Sequence, residues 1–151
     1  MNKRLLCFLI TLMLLISAFP VAQAAELVDK EIIILEDGGS LVITIEKIPS
    51  RSIYSQSGKK TIVKKEQDGT LNWKAELTGT FIYTGTSATC TQSTISVTVY
   101  ADNWYEVSKT AGKSGASATG SVTMGRKVLG VTVAKETFDM TLTCSPTGTL
   151  S

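Results

Sequence analysis

An alternation of apolar and polar residues constrains the fold of this chain most. Beyond residue 30 the period is two, and no helical period replaces it. In Thr70–Thr84 one face of the expected strand carries Leu71, Trp73, Ala75, Leu77, Phe81 and Tyr83. A strand with one apolar face needs a second layer to cover that face. The pattern therefore predicts an all-β protein, an antiparallel β-sandwich that is immunoglobulin-like in a loose sense, with a closed barrel as the alternative.

Turn-forming residues divide the chain into about eight or nine strands. Glu31–Glu36 and Ser40–Lys47 are expected to form a hairpin around Asp37-Gly38-Gly39. A further strand, Lys59–Gln67, ends at Asp68-Gly69, a pair typical of a type I′ turn. The lysines of that strand favour a position at the edge of a sheet, where charge discourages further pairing.

Two irregularities are expected in the middle of the chain. Gly79 interrupts the apolar face of its strand, so a bend or bulge is predicted there. Cys90 has the opposite parity to Ile95, which faces inward with Val97 and Val99. Because a strand changes faces only through an irregularity, a bulge or a break is predicted between Cys90 and Ile95.

The last third of the chain is expected to contain a flexible loop, a hairpin and a final strand. The loop is Ala111–Gly115, which is rich in small residues. The hairpin joins Ala116–Met124 to Lys127–Ala134 through a type II′ turn at Gly125-Arg126. The final strand, Thr137–Cys144, places Cys144 on its inward face.

The first 24 residues have the organisation of a secretory signal peptide. Lys3 and Arg4 precede an apolar run, Leu5–Ile16, and a small-x-small site closes the segment at Ala22–Ala24. The apolar run is shorter than the roughly 20 residues that span a membrane. We therefore expect cleavage after Ala24, secretion to the extracellular space without stable membrane anchoring, and a single domain over residues 25–151.

Cleavage would also change the charge balance. The chain has 15 basic and 13 acidic residues, and the leader holds Lys3 and Arg4 but no acid. The processed chain is therefore expected to be neutral overall. That balance gives no reason to expect a nucleic-acid partner or a general attraction to anionic membranes.

Two cysteines remain outside the leader, Cys90 and Cys144. Export to an oxidising compartment makes a disulfide between them the default expectation.

Histidine is absent from the sequence, and this narrows the possible chemistry. Catalytic triads of the Ser-His-Asp or Cys-His type require it, and catalytic zinc sites usually do. We predict no catalytic residue, no metal ligand and no cofactor. A pair of carboxylates acting as a small glycan hydrolase is the least favoured alternative.

Asn103, Trp104 and Tyr105 are the candidate ligand-binding residues. Adjacent side chains on a strand point to opposite faces, so at most one of the two aromatic residues can belong to the core. The other would be an exposed ring beside an amide, an arrangement found in sugar-binding and peptide-binding surfaces. Trp73, in contrast, is expected in the core.

Three segments resemble a group of small exported β proteins from Gram-positive bacteria that have no assigned activity. The segments are Leu77–Thr91, Asn103-Trp104-Tyr105 and Leu142-Thr143-Cys144, and the likeness extends over Leu71–Ser151. The resemblance implies secretion and an all-β fold but no site. Together the observations predict a secreted, non-enzymatic binding module whose partner is an extracellular protein or glycan. The alternative is a carbohydrate-binding module that uses Trp104 and Tyr105.

Overall fold

The computed structural model describes residues 24–50 and 52–151, so the expected leader, except Ala24, lies outside the described residues. The described residues form eight β-strands connected by turns and loops. The strands are β1 Glu26–Ile34, β2 Ser40–Ile48, β3 Ser55–Lys65, β4 Leu71–Tyr83, β5 Ala88–Val99, β6 Trp104–Ser114, β7 Ser117–Val128 and β8 Val131–Thr143.

The strands form two antiparallel sheets in sequential order. The first five strands make one sheet in the order β1-β2-β3-β4-β5, and the last three make the other in the order β6-β7-β8. Within each sheet every strand pairs with its sequence neighbours, and only β5 and β6 lie in different sheets, so the described strands contain none of the long crossovers of a Greek key. The described strands therefore form two packed antiparallel sheets in sequential order.

Trp73 is the centre of the contact between the sheets. It comes from β4 and is fully buried. Its ring lies 4.9 Å from the ring of Phe138 on β8 and 6.4 Å from that of Trp104 at the start of β6. The apolar face of β4 and the inward faces of β7 and β8 thus meet in one core, as the sequence pattern requires. The largest fully buried apolar side chains around Trp73 are Phe81, Leu77, Met124, Met140, Leu142 and Val122.

The C-terminal residues connect the two sheets a second time. Thr143 and Ser151 exchange two backbone hydrogen bonds of 2.9 and 3.0 Å. This turn places Leu150 over Gly58 of β3, where any larger residue would collide with it. Leu150 is consequently buried, although it is the penultimate residue.

Two of the predicted features are confirmed. β1 and β2 form the expected hairpin around residues 37–39, although β1 begins earlier than the sequence pattern indicated. The pairing of β4 with β5 shifts between Thr80 and Phe81, which leaves Thr91 as an extra residue on β5. This bulge lies between Cys90 and Ile95 and brings both side chains to the inward face.

The predicted hairpin around Gly125-Arg126 is wrong. β7 continues through both residues to Val128, and the turn is made by Leu129 and Gly130, with φ values of 49° and 81°. Gly125 lies within the strand because the ring of Tyr105 occupies the space a side chain would need. The glycine thus provides room for an aromatic ring, whereas the turn uses a leucine that sequence rules disfavour.

Three smaller predictions are also wrong. The expected flexible loop at residues 111–115 belongs almost entirely to β6, which turns tightly into β7 at Gly115-Ala116. β3 is the middle strand of its sheet rather than an edge, because it pairs with β2 on one side and β4 on the other; Lys59 and Lys64 extend to carboxylates on other strands. At Asp68-Gly69 only the glycine has positive φ, so the turn is not type I′.

The irregularity expected at Gly79 lies instead between Thr80 and Phe81, where the register of β4 with β5 shifts. Gly79 itself pairs regularly with Gly58 and Ser93. Its missing side chain makes room for the ring of Phe81 and the methyl group of Ala118.

Candidate binding surfaces

The structure separates the three residues that the sequence grouped as a ligand site. Trp104 is 4% exposed and packs edge-on against Trp73, so its ring offers no free face to a ligand. Tyr105 points to the opposite, outer face of the three-stranded sheet and is half-buried. Asn103 is exposed in the turn before β6, and its carbonyl accepts a 2.8 Å hydrogen bond from the Lys127 amide.

The ring of Tyr105 is already engaged on both sides. One side covers Gly125, and the ammonium of Lys127 lies 4.6 Å from the ring centroid. The Tyr105 hydroxyl shares a 2.8 Å hydrogen bond with the hydroxyl of Thr132. These contacts fix the orientation of the ring and leave its outer edge accessible.

Cys90 and Cys144 lie on either side of the β6–β7 turn. The Cys90 amide donates to the carbonyl of Gly115 at 2.7 Å, and the Cys144 amide donates to the carbonyl of Ala116 at 3.0 Å. Both side chains are buried, and both are free thiols in this structure. Burial raises the pKa of each thiol, which disfavours the reactive thiolate.

β1 is the most exposed strand of the five-stranded sheet. It occupies the end of the sheet, so no described strand pairs with its far edge. All nine of its residues are exposed, among them Ile32 and Ile34 on the outer face. No signal in the sequence indicated this exposure, because the uninterrupted run Ile32-Ile33-Ile34 is typical of a strand that is buried on both faces.

The inner face of β1 is acidic. Asp29 and Glu31 pair in register with Ile45 and Ile43 of β2, whose side chains belong to the core face or border it. Both carboxylates therefore lie beside apolar surface, and neither forms an ion pair among the described residues. The far edge of β1 thus combines free backbone hydrogen-bonding groups, an inner face with two carboxylates next to Ile33, and an outer face on which Ile32 and Ile34 follow Lys30.

The outer face of the three-stranded sheet is lined with hydroxyl groups. In register across its strands lie the rows Ser108–Thr123–Thr137, Thr110–Ser121–Asp139 and Gly112–Thr119–Thr141. Gly112 lacks a side chain, and a depression of about 380 Å³ opens beside it. Asp139 is the carboxylate that borders this depression, and Tyr105 lies on the same face.

Carboxylates elsewhere on the sheets are neutralised by lysines. Glu76 on β4 is 2.9 Å from Lys59 and 3.0 Å from Lys74. Partial burial disfavours the charged form of Glu76, but the two lysines outweigh this effect and hold its pKa below the usual value. Glu136 pairs with Lys64, and Glu106 pairs with Lys109.

Within residues 24–50 and 52–151, no group of three or more acidic or cysteine side chains is arranged to hold a metal ion. No helix in the same ranges is long and apolar enough to cross a bilayer. Comparison with protein-family models, with curated proteins and with solved structures gave no match to this chain.

Proposed function

We propose that this chain is an exported, non-enzymatic module that binds an extracellular protein by accepting a strand at the edge of β1. The observation that carries the proposal is an edge strand exposed along its whole length, with an acidic inner face. Strand addition takes its affinity from backbone hydrogen bonds and its specificity from alternate side chains. Secretion is the part of the proposal that the expected leader and the resemblance to exported β proteins support.

The charges on β1 favour a basic partner strand. Asp29 and Glu31 would lie beside the inward side chains of an added strand, so lysine or arginine at those positions would be attracted and acids repelled. Two copies of β1, paired antiparallel about Lys30, would bring Asp29 of one copy beside Glu31 of the other. The same charges therefore disfavour self-association through this edge.

A synthetic seven-residue peptide that alternates lysine with isoleucine or threonine is the probe for this proposal. We expect it to bind the processed chain in fluorescence anisotropy, and a peptide with glutamate in place of lysine not to bind. The double variant Asp29→Lys/Glu31→Lys should weaken binding about tenfold or more, because like charges then face each other. Asp102→Lys/Glu106→Lys makes the same charge change on another surface and should leave binding intact. Equal affinity for both peptides would contradict the proposal.

The proposal includes two features of the fold, a disulfide and a loosely immunoglobulin-like arrangement of the sheets. A disulfide between Cys90 and Cys144 is supported by their amides, which bond to the carbonyls of two consecutive residues, and by the burial of both side chains. The bond would link β5 to the end of β8 and hence one sheet to the other. A loosely immunoglobulin-like sandwich is supported by the two packed sheets alone.

A carbohydrate-binding module is the second candidate function. The observation in its favour is the hydroxyl-lined face with its depression beside Gly112, where Asp139 could accept hydrogen bonds from a diol. Tyr105 and Asn103 lie at the end of the three-stranded sheet where β6 begins, and Trp104 would contribute only by packing beneath them. A glycan array tests this candidate. Binding that is lost in both Gly112→Val and Asp139→Ala would favour it, and an array without a signal would eliminate it.

A further inference from the structure

The end of the β7–β8 hairpin extends beyond the three-stranded sheet. β6 pairs with β7 only as far as Arg126, whose partner on β8 is Ala134, so residues 127–133 form a two-stranded projection. We refer to Val128–Val133 as the hairpin tip. Leu129 at its apex is 99% exposed, and Val131 and Val133 are 65% and 56% exposed. The tip therefore presents an apolar surface to solvent on a projecting hairpin.

Folding alone does not account for a leucine at this apex. A turn in which both central residues have positive φ favours asparagine, aspartate or glycine, because a larger side chain is strained in that conformation. Leu129 adopts φ of 49° and contacts almost nothing in return. A residue that is strained and exposed at once points to a use outside the folded chain.

Basic and aromatic residues surround the base of the tip. Arg126, Lys127 and Lys135 lie on its two strands, and no acid occurs between residues 126 and 135. Tyr105 lies beside them, held by Lys127 and Thr132. An apolar end followed by a belt of tyrosine and lysine matches the layers of a bilayer interface, where apolar side chains reach the acyl boundary and tyrosine and lysine remain among the headgroups.

We propose that the hairpin tip inserts reversibly into the interface of an anionic phospholipid bilayer. The contact is local and differs from anchoring by a spanning segment. It does not require a positive net charge, because the cations that matter surround the tip. Acidic residues at the same end of the molecule, Asp102 and the β1–β2 and β3–β4 turn residues Asp37 and Asp68, would be repelled by the lipid. The contact with the bilayer is therefore expected to be confined to the hairpin tip and the cations around it. This proposal goes beyond strand addition at β1 and does not depend on it.

Sedimentation with lipid vesicles tests the proposal on residues 25–151, the range that contains all eight described strands and the core. The vesicles contain equal parts phosphatidylglycerol and phosphatidylcholine, and vesicles of phosphatidylcholine alone serve as the comparison. We expect the protein to bind the anionic vesicles and to be released by high salt. Leu129→Asn should reduce binding about tenfold, since it removes the most exposed apolar side chain. It should also leave thermal stability equal or higher, since asparagine suits the turn.

Ile53→Asn is the matched control. Ile53 is 77% exposed in the loop before β3, at the opposite end of the strands, and the change is of the same kind. We expect its binding to equal that of the unmodified protein. Failure of the unmodified protein to bind anionic vesicles would overturn the proposal, and so would equal binding by the Leu129→Asn variant. A tip that docks into an apolar pocket of another protein would give the first of these results.

Discussion

Lys64 shows how a charged residue can occupy a core-facing position. Its side chain is only 6% exposed, yet its ammonium lies 3.5 Å from a Glu136 carboxylate oxygen and 5.2 Å from the ring centroid of Trp104. The aliphatic part of the side chain continues the inner face of β3 next to Leu41 of β2. The lysine thus covers apolar surface with its carbon chain and reaches across to the other sheet with its charge.

This arrangement predicts an asymmetry between the two partners. Glu136→Gln leaves a buried ammonium without its counter-charge, so we expect it to lower the free energy of unfolding by about 1–2 kcal/mol. Lys64→Met removes the buried charge and keeps the volume, and the Glu136 side chain, 41% exposed, can then be solvated. The Lys64→Met variant should consequently be the more stable of the two. Urea denaturation of both variants measures the difference, and the reverse order would refute the asymmetry.

At the scale of elements, lysines and glutamates connect strands β2, β3 and β4 on the outer face of their sheet. Lys59 of β3 lies between Glu46 of β2 and Glu76 of β4, at 3.4 and 2.9 Å. Lys74 completes the group by its contact with Glu76. The cross-strand pairs neutralise Lys59, and the contact with Glu136 neutralises Lys64, so two of the lysines of β3 have counter-charges in the middle of the sheet.

The pH dependence of this cluster follows from the lowered pKa of Glu76. A carboxyl group whose pKa is lower in the folded state contributes stability above its unfolded value, here 4.5, and loses that contribution as the pH falls through the folded value. We therefore expect Glu76→Gln to cost on the order of 1 kcal/mol at pH 7 and much less at pH 3. Thermal unfolding at the two pH values measures this change. Glu106→Gln, which removes an exposed pair between nearby residues of one strand, is the control, and an effect of Glu76→Gln that is equal at both pH values would contradict the prediction.

The alternation within a segment predicted the strands well, whereas the choice between competing turn positions was not predictable. The parity of Cys90 and Ile95 required a bulge, because both residues had to face one core, and Thr91 supplies it. The β7–β8 turn was misplaced because Gly125 satisfies the local rule for a turn, whereas Leu129 does not. What decides the position is the long register of β7 with both neighbours, and this lies in contacts between strands rather than in any short segment.

At the scale of the whole molecule, the alternation predicted two layers but not how the layers are joined. Lys60 donates a 3.1 Å hydrogen bond to the carbonyl of Thr141 across the two sheets, and Leu150 packs over Gly58. The exposure of β1 was equally hidden, since it depends on how far the three-stranded sheet extends over the five-stranded one. Such contacts join residues that are distant in sequence, and a single sequence gives no evidence for them.

The cysteine pair carries the remaining prediction, because a bond between Cys90 and Cys144 would join the two sheets. It would close a loop of about 54 residues, and on the chain-entropy model this restriction of the unfolded chain contributes roughly 4 kcal/mol. The processed chain, oxidised in air or by a small disulfide, should be lighter by two hydrogens than its reduced form. Reductant should lower its thermal midpoint by several degrees. A Cys90→Ala/Cys144→Ala variant has no bond to break, so reductant should leave its midpoint unchanged. If the oxidised and reduced chains have the same mass and the same midpoint, the two sheets are held together by packing alone, and the buried thiols are ordinary members of the core.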